Sequence, residues 1–351
     1  MTETGPGEDI EGIAVGPVSK WLDDNVDGAH SPYRFELAAG GRSNLTFKVT
    51  DAAGQRYVLR RPPVSHVLPT AHDMGREHRI IKALGPTAVP VPPALAFCED
   101  EAVNGRPFYV MGYVDGFVLR DAVIAEKTFT PAARRAVSED LIDVLARLHA
   151  VDVDEIGLGD LGRKEGYIER QLKRWYGQFT QSAATRDRTI PAIDEVHEVL
   201  SRRIPPQHGA TIVHGDYRLD NTMLSADAKV AAVLDWEICT LGDPLADLGL
   251  LMVYWAEPGE RNLPLGISAT TAGGFMTRAE LRELYAARSG RDISALDFYV
   301  AFGYWKLACI LEGVHARYAA GAMGGDRSGI ESFSGQVEAL GELAREAASK
   351  L

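Results

Sequence analysis

Between residues 211 and 235 three short apolar runs, Thr211-Ile212-Val213, Met223-Leu224 and Val230 to Leu234, alternate with His214, Asp216, Asp220 and Asn221 and end on Asp235. Apolar runs this short read as buried strands. Their polar residues therefore collect at strand ends, an arrangement that places several acidic and amide side chains around one point of a larger fold. At 351 residues, 46% of them hydrophobic, the chain is long enough for one large domain or two lobes with sizeable cores.

The remaining sequence divides by periodicity. After the acidic, glycine-rich "MTETGPGEDIEG", the segment "VSKWLDDNV" reads as a short helix. Phe35 to Leu37, Leu45 to Val49 and Tyr57 to Leu59 then read as antiparallel strands joined by glycine-containing turns. "TAHDMGREHRIIKALG" has helical spacing and a glycine stop, and Phe108 to Met111 supplies another strand before Asp115-Gly116. From there the pattern is mostly helical: Val137, Leu141, Val144, Leu145 and Leu148 share one face, with Thr130 as N-cap and Pro131 at the first helical position. These changes predict an α+β chain with an N-terminal extension over 1–32, an antiparallel-sheet lobe over 33–116 and a mostly helical lobe over 117–351. The final amphipathic segment predicts packing on the helical lobe in preference to a dimer seam, leaving a monomer or homodimer.

Composition narrows the function. A net charge of −12 argues against a nucleic-acid partner held through phosphates. No run approaches the length of a membrane span, and the start carries no basic-then-apolar signal pattern. Cys98, Cys239 and Cys309 are odd in number and lack metal-ligand spacing, which suits a reducing compartment. A cytoplasmic location is expected.

Phosphoryl transfer needs a carboxylate to orient the attacking hydroxyl and oxygen ligands for Mg²⁺ at the nucleotide phosphates. Asp216, Asn221 and Asp235 have the right chemistry. Asp216 and Asn221 have the spacing of the base and metal ligand in the protein-kinase catalytic loop, and a second metal-binding Asp follows at a strand end, where Asp235 stands. Alone, H-x-D-x-x-x-x-N would arise by chance in roughly one or two chains in a hundred of this length, so the strand-end Asp adds most of the weight. "HGDYRLDN" and "LDWEICTLGDPLADL" resemble the two signature stretches of the aminoglycoside phosphotransferase and choline kinase-like family, a branch of the protein-kinase-like fold, over about residues 33 to 320. "YVLRRPP", "GREHRIIKAL" and "FYVMGYVDG" resemble the kinase-like domains joined to acyl-CoA dehydrogenases in family members ten and eleven. The resemblance implies a two-lobed fold, ATP and Mg²⁺ as cofactors, Asp216 as catalytic base, Asn221 and Asp235 as metal ligands, and His214 and Asp247 as residues bracing the catalytic loop.

Within that frame Gly40, Gly41, Ser43 and Asn44 lie in the loop that would cover the phosphates. On the third strand Arg60 stands where kinases keep a lysine; it retains a permanent charge but presents a longer, planar head. Glu77 is its expected partner, and Met111 and Tyr113 mark the hinge that would bind adenine through backbone groups. Only eight residues separate Asp235 from Pro244, too few for a peptide platform, so a small hydroxylated acceptor is expected. The basic helix "RKEGYIERQLKRWYGQF" places Tyr167, Arg170 and Arg174 on one face. They could grip an anionic handle such as the phosphates of coenzyme A, favouring a hydroxyacyl-CoA or lipid-derived acceptor over an aminoglycoside; a solvated charged face fits as well. Two further readings remain open: a non-catalytic nucleotide-binding module, motivated by Arg60, and a metal-dependent hydrolase, disfavoured because His214 has no second His at ligand spacing nearby.

Overall fold

Burial alternating along short strands builds the first of two units. The structure is a computed structural model that describes residues 10–38, 44–64, 73–185, 188–260, 268–319 and 330–351. After helix α1 (Val15–Asn25), strands β1 (Arg34–Leu37), β2 (Leu45–Thr50) and β3 (Arg56–Arg61) form a meander, followed by α2 (Met74–Leu84), β4 (Ala94–Cys98), α3 (Glu101–Asn104) and β5 (Phe108–Gly112). The strand order is β1-β2-β3-β5-β4, every neighbouring pair antiparallel. On one face Phe35, Phe47, Val49, Tyr57, Leu59, Phe108 and Val110 pack with Val18, Leu22 and Val26 around α1. Side chains of this size each contribute about 1.5–3 kcal/mol when fully buried. The period of two turns Arg60 and Arg61 to opposite faces. Arg61, only 5% exposed, faces α1, where its guanidinium donates to the carbonyls of Gly12 and Asn104.

The second unit is mostly helical: α4 (Ala122–Thr128), α5 (Pro131–His149), α6 (Tyr167–Ala184), α7 (Pro191–Arg202), α8 (Leu245–Tyr254), α9 (Arg278–Ser289), α10 (Leu296–Ala319) and α11 (Ile330–Ala348). Thr130 accepts from the Ala133 N–H at 3.2 Å to cap α5, and Thr277 with Glu280 forms a reciprocal capping box on α9. α10 is the hub, packed against α6, α7, α8 and α11. Between α7 and α8 run the short strands β6 (Thr211–Val213), β7 (Thr222–Leu224), β8 (Val230–Val233) and β9 (Thr240–Gly242), with β6 and β9 antiparallel.

Two boundaries differ from the sequence expectation. The first unit comprises residues 1–116 together with 231–237, and the second 117–230 with 238–351. Residues set apart as an extension, Ile13 to Ala29, are instead part of the sheet's core because their apolar positions cover one of its faces. Residues 231–237 leave the helical unit because the Val233 N–H bonds the Pro90 carbonyl at 2.8 Å and Asp235 pairs with Arg60. Trp255 and Trp305 are core residues whose indole N–H groups bond the carbonyls of Met276 and Ile193. Among the described residues no helix is long and apolar enough to cross a membrane.

Helices α8 and α10 approach closely because Gly249 offers no side chain: a Cβ there would lie 2.6 Å from the Tyr299 backbone carbon. Gly249→Ala is therefore expected to destabilise the fold by about 1–3 kcal/mol, read as a lowered urea midpoint at unchanged slope.

Candidate active site

In the second unit, the pairing of Thr211 with Gly242 and of Val213 with Thr240 delivers the chain into a loop beginning at His214. Gly215 has φ +86°, and a Cβ on it would press at 3.0 Å on Ile238. A 3₁₀ turn over Leu219–Asn221 then brings Asn221 back onto Asp216: its side-chain N–H₂ donates to the Asp216 carbonyl at 2.9 Å and to Oδ2 at 2.8 Å. The Arg218 Nε lies 3.3 Å from the same Oδ2, and its guanidinium stacks 4.6 Å over the Tyr254 ring. Asp216 is thus held by Asn221 and Arg218 while its side chain stays 24% exposed.

The loop is anchored from beneath. Asp247, fully buried near the start of α8, accepts from the His214 N–H at 2.7 Å and from the Gly215 N–H at 2.8 Å. His149 Nε2 lies 3.3 Å from the carboxylate, and Nδ1 of the same ring contacts the Tyr285 hydroxyl at 2.7 Å. Burial pushes the Asp247 carboxyl upward, but His149, His214 and the Gly215 N–H outweigh it and hold the group below its ordinary value. The His214 Nδ1 accepts from the Asp216 N–H at 3.2 Å, which leaves the proton of the neutral ring on Nε2. His214, fully buried, is tied to the loop through this bond and through its own N–H to Asp247.

In the first unit, Arg60 organises a cluster of charge. It stands opposite Tyr109 of β5 and Thr46 of β2. Its Nη2 is 2.5 Å from Asp235 Oδ1 and 3.6 Å from Glu237, and its Nε is 3.3 Å from Glu77. Tyr109 donates to Glu77 at 3.0 Å, and the Asn44 N–H₂ donates to Glu77 at 3.3 Å and Glu237 at 3.0 Å. Burial opposes the charge of Arg60, yet Glu77 and Asp235 raise its pKa above the ordinary value. Burial also carries Glu77 upward despite Arg60. Asp235, two residues past the end of β8, has φ +64°, a left-handed conformation that Asp tolerates better than most residues.

One guanidinium faces the three carboxylates of Glu77, Asp235 and Glu237, and the Asn44 Oδ1 is buried without a hydrogen-bond partner. Oxygen donors with surplus negative charge fit a hard cation. Among the described residues no group of three or more His, Cys, Asp or Glu could hold a metal. Mg²⁺ needs only one or two carboxylates when phosphates and water complete its shell.

Gly40, Gly41 and Ser43 lie outside the described residues. Met111 is buried on β5 opposite Val58. Tyr113 follows the strand, with the Arg56 guanidinium 4.5 Å over its ring. The proposed substrate face does not survive: Tyr167 is buried against Gly242, because α6 turns its apolar side toward β9. Arg170 is used locally, donating to the Arg163 carbonyl at 2.6 Å, and Arg174 alone of the three is exposed, 5.0 Å over the Trp175 ring. Sequence reasoning gave no role to Glu237 or Lys306. A lone lysine inside the apolar run "FYVAFGYWKLACIL" was the available signal for the last.

A five-stranded antiparallel sheet, a helical unit and this loop define the protein-kinase-like fold. The sequence profile of the phosphotransferase enzyme family matches residues 34–299, and the chain belongs to that family. It is 36% identical over 330 residues to acyl-CoA dehydrogenase family member 10 of Mus musculus, covering 92% of this chain and 30% of that protein. It is 37% identical over 320 residues to family member 11 of Gallus gallus, covering 89% and 40%. The chain thus spans well under half the length of these relatives. A solved structure from Ralstonia eutropha JMP134, provisionally described as an aminoglycoside phosphotransferase, superposes with a TM-score of 0.80 at 36% identity, covering 95% of this chain and 98% of that one. The ADP-bound aminoglycoside phosphotransferase APH(2'')-Ib, at 14% identity and a TM-score of 0.60 with 95% and 99% covered, shares the fold.

Because the Asp247 pKa is lowered from 3.8, its contribution to stability is present above that pH and is lost as pH falls through the lower, folded value. Asp247→Asn is expected to cost about 3 kcal/mol near neutrality. Urea unfolding of both proteins should show the gap narrowing once the pH drops below 3.8.

Proposed function

We propose that this protein transfers the γ-phosphoryl group of ATP to a hydroxyl of a small molecule. The observation that carries the reading is the Asp216–Asn221 pair on a loop whose backbone is held by a buried carboxylate. In this reading Asp216 accepts a hydrogen bond from the attacking hydroxyl, orients it, and takes its proton as the bond to phosphorus forms. Arg60 supplies a fixed positive charge to the phosphates, and Glu77 fixes the guanidinium. Asn221 and Asp235 are the residues that would hold Mg²⁺, which neutralises charge developing on the phosphates when bound.

For the acceptor, a hydroxyacyl-CoA or related lipid-derived metabolite is favoured. Supporting it are the relatives named as acyl-CoA dehydrogenase family members, of which this chain matches one part, and the exposed basic positions of α6, Lys173 and Arg174. An aminoglycoside acceptor is the alternative suggested by the name of the Ralstonia protein. A nucleotide-binding module without transfer is the alternative suggested by Arg60.

The test is Mg²⁺-dependent ADP release from ATP in the presence of hydroxyacyl-CoA thioesters or aminoglycosides. Stimulation by a thioester is expected, and ATP binding with no acceptor-dependent turnover would select the non-catalytic reading. Asp216→Asn is expected to lower kcat by about 10²–10⁴-fold with nearly unchanged ATP affinity. An equal loss of binding would argue against its role as base.

A further inference from the structure

The peptide between Gly215 and Asp216 is held at both of its polar ends. Its N–H, from Asp216, donates to His214 Nδ1 at 3.2 Å. Its carbonyl, from Gly215, accepts from the Lys306 ammonium at 3.0 Å. Lys306 sits on α10, is 5% exposed, and has its Nζ 5.9 Å from the Trp175 ring. Placing an ammonium there is costly: burial drives its pKa down, while the charges of Asp216 and Asp247 oppose that shift. A methionine or leucine would fill the same apolar helix without this cost, so the lysine needs a reason.

The glycine supplies one. A residue without Cβ is less restricted in both φ and ψ than other residues, so nothing intrinsic to Gly215 keeps the following peptide plane from rotating about its ψ. Rotation about that plane would swing the Asp216 Cα–Cβ bond and with it the carboxylate. Asp247 holds the two preceding N–H groups, of His214 and Gly215, but has no hold on the Gly215 carbonyl. We propose that Lys306 is a positioning residue: by pinning the Gly215 carbonyl it fixes the peptide plane that aims Asp216 at the attacking hydroxyl.

The inference rests on Asp216 being the base, and its test separates the two. Wild type and Lys306→Met are compared by Mg²⁺-dependent ADP release with water as acceptor, by thermal unfolding, and by amide hydrogen exchange across residues 212–221. The expected result is a kcat lowered about 10- to 100-fold with KM for ATP within about twofold. The unfolding midpoint should change little, because removing a buried charge offsets leaving the Gly215 carbonyl without its donor, and the Asp216 amide should exchange about tenfold faster or more. A purely structural lysine would lower the midpoint and leave the split between kcat and KM unmoved. Unchanged exchange at Asp216, or a kcat within about twofold of wild type, overturns the proposal. Should wild type release no ADP to water, the exchange comparison alone decides whether Lys306 pins the plane, and the kinase reading is decided by the acceptor-dependent assay. Lys306→Leu carries the same readouts if the methionine variant does not fold.

Discussion

The reactive loop depends on one buried carboxylate. Asp247 is isolated from solvent and uses both oxygens on consecutive backbone N–H groups, with an imidazole at its side. An ionised group in such a place is tolerated only when nearly all its acceptor capacity is filled. The reverse also holds: with the carboxylate fixed by α8, two successive peptide groups of the loop lose their freedom. Everything that follows in the chain, from the carboxylate of Asp216 to the turn that returns Asn221, is built outward from that fixed stretch.

The charge cluster of the first unit works by a different logic. There the cation is the organiser, since Arg60 faces Glu77, Asp235 and Glu237 at once. A guanidinium can address several carboxylates at once from its separate N–H groups, where an ammonium presents a single compact charge. Arg60 is thereby matched by a further acidic residue, Glu237, two positions after Asp235. The two departures of the sequence from the kinase pattern, Arg60 and the Asp235-Trp236-Glu237 triplet, are in contact.

Much of this was legible in the sequence because it is local. Period-two alternation marks β2 and β3, the Thr130-Pro131 start marks α5, and fixed spacing joins Asp216 to Asn221. What was not legible depends on distant chain segments meeting. Tyr167 shares a helical face with Arg170 by spacing, but only the packing of α6 beside Gly242 shows that the ring is inside. His149 and Lys306 reach the loop from helices remote in sequence, with no motif to announce them. The assignment of residues 231–237 to the first unit likewise follows from a hydrogen bond to Pro90 and an ion pair with Arg60, neither of which is encoded near by.

That short return has a consequence for how the molecule can be divided. Residues 231–237 contribute two of the three acidic partners of Arg60, yet they are encoded more than a hundred residues beyond the rest of the unit. A fragment ending at Gly116 would contain the whole sheet and still leave the guanidinium with Glu77 as its sole carboxylate among those three. The unit is continuous in space and broken in sequence, so its electrostatic balance is a property of the whole chain and cannot be inherited by either half of a cut.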